Sequence, residues 1–390
     1  MKRMKILIAP GTFKHSLSAR KVAQRIAAGL QRSGLDADLH IIPIADGGND
    51  TVESWLAQGG ERISVEVNDP LMRPTQATYG ILPDKKTAIV EMAQASGIEL
   101  LPEFERNPLK TSTCGTGELL VDALNRGIRR FIIGMGGSAT VDGGAGALQA
   151  LGVNLLDENS NPLSPGGGNL IHLHNIDITE LDPRWQDCEI LIASDVDNPT
   201  LGEQGAAAIF APQKGASPQD VLTLEHNLTH FFTVIAEQHD SDVRQLPGGG
   251  AAGALSAGLI AFLGGRIESG IDLLLDYHNF DTHLKDAALV ITGEGQMDEQ
   301  TVHGKGPIGV ARLAKAHGVS TIALVGGLTV DDAILHDAGI QAILPVVNQP
   351  MPLNDALKNA GKLIESTALR LGYLLQLQHI QDAMDDTQKI

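Results

Sequence analysis

The chain has 390 residues, of which 43% are hydrophobic, so it can bury a large core, and its length suggests two domains. Aromatic residues make up only 3% while glycine occurs 44 times, a balance that fits α/β layers of Ala, Val, Ile and Leu rather than a β-sandwich. The formal net charge of −18, with neither a basic stripe nor interleaved aromatics, argues against a nucleic-acid or anionic-membrane surface, though not against a phosphorylated ligand held by a local cluster of Lys and N–H groups.

Two cysteines, Cys114 and Cys188, show neither metal-ligand spacing nor a C-x-x-C pattern, so free thiols in a reducing compartment are expected. No signal-peptide core follows Met1, and the longest apolar stretch, 251–263, is too short to span a bilayer. The reading is a cytoplasmic protein.

Residues 5–9 predict a first strand ending in the turn Pro10-Gly11-Thr12, and Ser18 is a fair N-cap for a helix through residue 30. Ligands of open α/β sheets collect at the carboxyl ends of strands, which puts Lys14 and Ser16 where a charged small molecule would be held. A lone Lys is otherwise a solvated surface residue. A second strand at 39–45 runs into Asp46-Gly47-Gly48 and a helix through residue 56. Asp46 alone would serve as a helix cap, but the same grammar of acidic residue and paired glycines returns further on. Residues 62–91 alternate between turn signals and predict short strands of a different sheet, with a domain boundary near Gly59-Gly60. The run Thr111-Ser112-Thr113-Cys114-Gly115-Thr116-Gly117-Glu118 opens a helix through residue 125. Thr116 and Gly117 there could take an anion or simply make a capping turn.

The stretch on which the rest turns is 134–146, Gly-Met-Gly-Gly-Ser-Ala-Thr-Val-Asp-Gly-Gly-Ala-Gly, set between a buried strand and the start of a helix. Glycines in that place let backbone N–H groups converge, and a helix N-terminus adds partial positive charge. Gly136, Gly137, Ser138, Gly143 and Gly144 therefore form a candidate cradle for phosphate or carboxylate. A carboxylate among them repels bare phosphate unless a cation or a hydroxyl lies between, so Asp142 points to a metal–phosphate or substrate-hydroxyl site.

Residues 157–169 read as a surface excursion. The strand 189–193 ends in Ser194-Asp195-Val196-Asp197-Asn198-Pro199, and carboxylates just past a strand end suit a divalent cation or a general base. Turn chemistry accounts for Asp197, which leaves Asp195 as the candidate. Lys214 lies in a loop before the Ser217 cap of a long helix, where it would reinforce an anion site or stand as a plain exposed lysine. Residues 247–253 lead into a small-residue helix to 263, read as close helix packing. A strand at 287–292 runs into Gly293-Glu294-Gly295 with Lys305 close behind, which makes Glu294 part of a second candidate site. Strand 321–325, turn Gly326-Gly327, a helix from Asp331, strand 342–346 and helix 353–375 then alternate as βαβ units of a parallel sheet with helices on both faces.

Both chain ends share this grammar and the middle does not. The expected fold is α/β: a Rossmann/flavodoxin-like parallel-sheet domain built from both chain ends (1–60 and 286–377), plus a second inserted α/β domain (61–285) with the Gly-rich loops, and a frayed tail at 378–390. A cleft between such domains would gather Lys14, Asp46, Asp142, Asp195, Lys214 and Glu294.

Taken in order, these segments resemble the bacterial glycerate kinase family of the type that makes 2-phosphoglycerate, from Met4 to about Leu375. The markers are Ile8-Ala9-Pro10 with Phe13-Lys14 and Ser16-Leu17, Ala45-Asp46-Gly47-Gly48, Gly115-Thr116-Gly117-Glu118-Leu119, Gly136-Gly137-Ser138-Ala139-Thr140, Asp142-Gly143-Gly144-Ala145-Gly146, Gln213-Lys214-Gly215-Ala216 and Ile291-Thr292-Gly293-Glu294-Gly295. No P-loop pattern occurs. The resemblance implies ATP-dependent phosphorylation of D-glycerate or a close hydroxy acid, with Asp195 or Asp46 as the base, Mg²⁺ on the nucleotide phosphates near Asp142, and Lys14 and Lys214 balancing charge. It implies small-molecule partners only, in a monomer or homodimer. The chain departs from the family pattern within its motifs. An Asp and a Ser are usual at Gly11 and Thr12, a Glu-Gly pair at Asn49-Asp50, an Arg at Cys114 and at Gln296, and an Asn at Val141. Losing two arginines removes bidentate anion ligands that a neutral Cys or Gln cannot replace, which leaves a kinase for a different hydroxy acid or a weakly catalytic binding homologue as alternatives.

Overall fold

The computed structural model describes residues 3–45, 51–298, 301 and 306–387, with side chains described through residue 377. The chain divides into two compact units, Met1–Ala45 with Ile271–Ile390, and Asp46–Gly270. Asp46, Asn49 and Asp50 lie outside the described residues.

In the first unit both chain ends feed one five-stranded, wholly parallel sheet, in the order Ala342–Pro345, Ser320–Leu328, Leu289–Met297, Met4–Ile8, Ala37–Ile41. Side chains alternate across it, as the period of two requires. Leu324 packs with Ile6, Ile8, Val22, Ile26 and Ile364 on one face, while Ala323 and Val325 pack with Ile308, Ala311 and Leu335 on the other. Helix Ala19–Arg32 begins where Ser18 Oγ accepts the Lys21 N–H at 3.4 Å, and buries Val22, Ala23, Ile26, Ala27 and Leu30, one stripe at helical spacing. Two details differ from the reading of the sequence. The strand read at 287–292 does not end before Gly293-Glu294-Gly295, and Gly326-Gly327 is not a turn, because pairing between Leu289–Met297 and Ser320–Leu328 continues through them to Met297↔Leu328. The last helix runs Leu353–Thr387 and does not stop near residue 375.

The inserted unit carries a six-stranded mixed sheet in the order Arg266–Glu268, Glu189–Ala193, Arg130–Gly134, Thr87–Glu91, Pro74–Ile81, Glu61–Asn68. The first four strands are parallel, and the last two join as an antiparallel ribbon. This ribbon is the separate strand set anticipated for 62–91. The helix Thr51–Trp55 belongs to this unit, with Val52 against the ribbon at Gly80. Helix Pro218–His239 opens with a capping box in which Ser217 and Asp220 bond reciprocally. Its Asn227 Nδ2 donates to the carbonyls of Gly167 and Gly168, which ties the 157–169 excursion down.

Helices Cys114–Asn125 and Ala145–Ala150 cross closely at Gly117, where a Cβ would lie 2.5 Å from the Ala147 carbonyl oxygen and 2.8 Å from its Cα. The obstacle is backbone and cannot swing away. Gly117→Ala is expected to lower the unfolding free energy by about 1–3 kcal/mol, the usual cost of overpacking, read by denaturant titration.

Candidate functional site

The parallel strands of the inserted unit end in register, with Glu91 opposite Gly134, Gly134 opposite Ala193, and Ala193 opposite Glu268. Carboxyl ends of parallel strands are where an α/β sheet holds ligands. Past this row the chain emits the turn Gly136-Gly137-Ser138 and the segment bearing Asp195. Gly137 is exposed, Gly136 and Ser138 are half-buried, and the turn is pinned by its own backbone. The Ile98 N–H donates to the Gly137 carbonyl at 2.8 Å, and the Ala139 N–H to the Ser96 carbonyl at 2.9 Å. Asp195 is half-buried, and its Oδ1 accepts the Gly270 N–H at 3.1 Å.

Behind the turn, Asp142 is fully buried. Its Oδ2 accepts from the Thr113 N–H at 2.8 Å, the Thr113 hydroxyl at 2.9 Å and the Gly146 N–H at 3.3 Å, and its Oδ1 from the Gly144 N–H at 3.2 Å. The Thr113 hydroxyl in turn accepts the Ala147 N–H at 3.0 Å. The sequence placed an anion at the start of this short helix, and the chain supplies that anion itself. Burial pushes the Asp142 pKa up, while the hydrogen bonds from Thr113, Gly146 and Gly144 pull against it.

Lys214 is also buried, at 1% exposure, and not a surface lysine. Its Nζ donates to the Thr140 carbonyl at 2.7 Å. Burial drives its pKa down to about 7, with the charge of Asp142 opposing. Gly143, Gly144, Thr116 and Gly117, read as nucleotide contacts, are buried as well. The Thr116 hydroxyl pairs with Ser96 Oγ at 2.8 Å, and Gly143 abuts the Phe231 ring. They shape the site from within the packing. Only Gly136, Gly137 and Ser138 of that set reach solvent.

Helix Ala251–Leu263 begins abnormally, since Ala252, Gly253 and Ala254 all have positive φ, at 54°, 68° and 68°. A left-handed alanine costs roughly 1–2 kcal/mol, so the surroundings must hold this turn. They do: the Gly143 N–H donates to the Gly253 carbonyl at 3.0 Å, and a Cβ on Gly253 would lie 2.0 Å from the Thr140 oxygen. The sequence suggested small residues for helix packing here. What needs them is the backbone of the Gly-rich stretch.

Cys114 stands at the start of its helix with Sγ 3.8 Å from Glu118 Oε1, while Glu118 also accepts from Asn68 N and Nδ2 at 2.7 and 2.6 Å. Burial first, then the charge of and hydrogen bond to Glu118, push the thiol pKa to about 12, so this position carries no charge at neutral pH.

In the other unit, Lys14 is exposed in a tight loop where the Phe13 N–H bonds the Leu17 carbonyl. The Gly11 N–H donates to the Gly293 carbonyl at 2.8 Å and the Gly295 N–H to the Thr12 carbonyl at 3.3 Å, which sets the backbone leading to Lys14 against the strand that carries Glu294. Glu294 Oε1 accepts the Thr301 hydroxyl at 2.7 Å, and Gln296 Nε2 donates to Thr329 Oγ1 at 3.3 Å. The structure therefore groups Asp142, Lys214, Gly136–Ser138 and Asp195 in one unit, and Lys14 with Glu294 in the other.

A Mg²⁺ ligand role does not fit Asp142, whose two oxygens already receive four protein donors. Among the described residues no group of three His, Cys, Asp or Glu side chains is placed to hold a metal. Sequence reasoning missed Thr113 as the partner of Asp142 and Thr140 as the partner of Lys214. These contacts join positions 29 and 74 apart, and no local pattern announces them. Among the described residues no helix is long and apolar enough to cross a membrane.

A family model described as the Glycerate kinase family matches residues 6–376. Curated relatives include a Glycerate kinase of Halalkalibacterium halodurans, 48% identical over 93% of this chain and 96% of its own length. The Glycerate 2-kinase of Escherichia coli strain K12 is 48% identical over 92% and 94%. A crystal structure from Salmonella typhimurium LT2, provisionally named glycerate kinase 2, superimposes with a TM-score of 0.86 at 44% identity, covering 97% of this chain and 100% of that one.

Two predictions follow from the buried charges. Asp142→Ala strands the Thr113 and glycine donors and leaves Lys214 without its opposing charge, so unfolding free energy should fall by about 3–5 kcal/mol in denaturant titration. The folded pKa of Lys214, about 7, lies below its ordinary 10.5, so between those values the unfolded chain binds more protons at this residue. The resulting penalty on folding is full below about pH 7 and fades as pH rises. The stability of the native chain relative to Lys214→Met should therefore climb from about pH 7 to about pH 10, measured by chemical denaturation at each pH.

Proposed function

This chain belongs to the glycerate kinase family, and we propose that it transfers the γ-phosphoryl group of ATP to the 2-hydroxyl of D-glycerate, giving 2-phosphoglycerate and ADP. The observation that carries this reading is the turn Gly136-Gly137-Ser138, presented at the carboxyl edge of a parallel sheet and braced from behind by buried Asp142 and Lys214. The names of the relatives in Halalkalibacterium halodurans and Escherichia coli support the substrate.

In this mechanism the protein's work is positioning and charge balance, as phosphoryl transfer demands. The glycerate hydroxyl oxygen forms the new bond to the γ-phosphorus, the bond from phosphorus to the β–γ bridging oxygen breaks, and ADP leaves with that electron pair. Asp195, or Asp46, receives the hydroxyl proton. The turn at Gly136–Ser138 offers its hydroxyl and backbone N–H groups to phosphate oxygens, and Lys14 supplies a mobile positive charge. Glu294 orients the nucleotide. Asp142 acts by holding the turn, and divalent ions enter as part of the magnesium–nucleotide substrate.

Cys114 favours a second reading. Its protonated thiol beside Glu118 offers no cation where the family resemblance implies an Arg, which suits a hydroxy acid with less negative charge than the usual substrate.

The test is coupled ADP release with D-glycerate, ATP and Mg²⁺, followed by identification of the product. Formation of 2-phosphoglycerate at roughly 1–10³ s⁻¹, with Asp195→Asn slowing it by about 10²-fold or more, is the expected outcome. A folded protein that leaves D-glycerate untouched but phosphorylates another member of a hydroxy-acid panel would overturn the substrate and favour the second reading.

A further inference from the structure

Two buried elements meet at one carbonyl. The Thr140 oxygen accepts Lys214 Nζ at 2.7 Å, and on the other side it lies against Gly253, at the centre of the left-handed Ala252–Gly253–Ala254 turn. Thr140 is itself fully buried, and among the described residues its hydroxyl has no hydrogen-bond partner. Its side chain therefore does not fix it, and its backbone carbonyl does.

Stability alone gives no reason for an ammonium in this place. A desolvated charge with one carbonyl partner is costly, and an apolar chain of the same length would fill the volume more cheaply. What an ammonium adds is direction: a donor at the end of a long buried stem that reaches one particular oxygen. That oxygen stands midway between the exposed turn at Gly136–Ser138 and Asp142, two residues from each. Displacing it tilts the turn on one side and the Asp142 carboxylate on the other.

We infer that Lys214 is a positioning residue: bonded to the Thr140 carbonyl, it fixes the pitch of the 138–142 backbone and so the aim of the Gly136–Ser138 turn, without touching substrate. The turn's use in phosphoryl transfer rests on the reading above; the bracing does not.

Lys214→Met and Lys214→Arg separate the two. Amide hydrogen exchange in the ligand-free protein reports the bracing through Gly143, Gly144 and Gly146, whose N–H groups bond to the Gly253 carbonyl and to Asp142. In the Met variant these amides should exchange about tenfold faster while the sheet amides of the same unit keep native protection. In turnover, kcat should fall by about 10²-fold with KM for both substrates within about threefold, the mark of misplacement and not of lost binding. The Arg variant, which keeps a donor for the Thr140 carbonyl, should recover part of both. Native exchange and native kcat in the Met variant would overturn the inference. A native protein that makes no phosphorylated product defeats the kinase reading only, and the exchange measurement then decides this one. Should the Met variant fail to fold, the Arg variant is read alone: near-native protection at the three glycine amides supports the bracing, and their loss beside a protected sheet overturns it.

Discussion

The inserted unit depends on the burial of one carboxylate. Asp142 lies with no exposed surface between helices Cys114–Asn125 and Ala145–Ala150, and a charge so placed is tolerable only if protein donors replace its lost water. Thr113 gives two of those donors and the start of the second helix gives two more. Satisfying the charge therefore joins three pieces of chain: the end of the Thr111–Thr113 loop, the Gly-rich stretch and the helix after it. The charge of Asp142 also acts on Lys214, but it offsets only part of what burial costs that ammonium, whose pKa still falls to about 7. The left-handed turn at 252–254 then closes the back of the stretch, its backbone strain held by contacts with Thr140, Val141 and Gly143.

This arrangement divides glycines that look alike in sequence. Gly143 and Gly144 sit beside Asp142 at positive φ, one against Phe231 and the other against Leu255, and they are spent on turning the chain. Gly136 and Gly137 lie outside that knot, and their turn reaches solvent. A helix N-terminus whose N–H groups already serve an internal carboxylate has little left for an external anion. The proposed phosphate contact in this unit therefore rests on the turn and not on the helix, although in sequence the whole run from 134 to 146 reads as one cradle.

Much of the fold was legible because it rests on local and periodic signals. The strand at Glu189–Ala193, the Ser18 and Ser217 caps and the alternating C-terminal strands and helices follow from apolar spacing and capping chemistry alone. Glycine misled where packing overrode propensity. Gly326 and Gly327 read as a turn and Gly293 as lying past a strand end, yet two neighbouring strands extend through them because small residues let the backbones approach: Gly326 lies against the Gly295 carbonyl. Of the candidate site, residue types and chain order were legible, but depth was not. Lys214 has the sequence context of a surface loop, and nothing near it shows that its stem points inward toward a carbonyl 74 residues away.

Depth also decides which charges can act on a ligand. A lysine in water is a mobile counter-ion; the same lysine at 1% exposure, with its pKa brought to about 7, holds a shape instead. Cys114 completes the pattern from the opposite direction, because a thiol pushed to about 12 beside Glu118 adds neither charge nor nucleophile at neutral pH. With Asp142 and Lys214 buried and Cys114 uncharged, Asp195 is a half-buried carboxylate that the inserted unit carries just past the same strand ends as its glycine turn. A carboxylate repels phosphate but suits the proton of a hydroxyl. On the proposed reading, the inserted unit would therefore offer neutral backbone donors to phosphoryl oxygens and a half-buried carboxylate to the accepting hydroxyl.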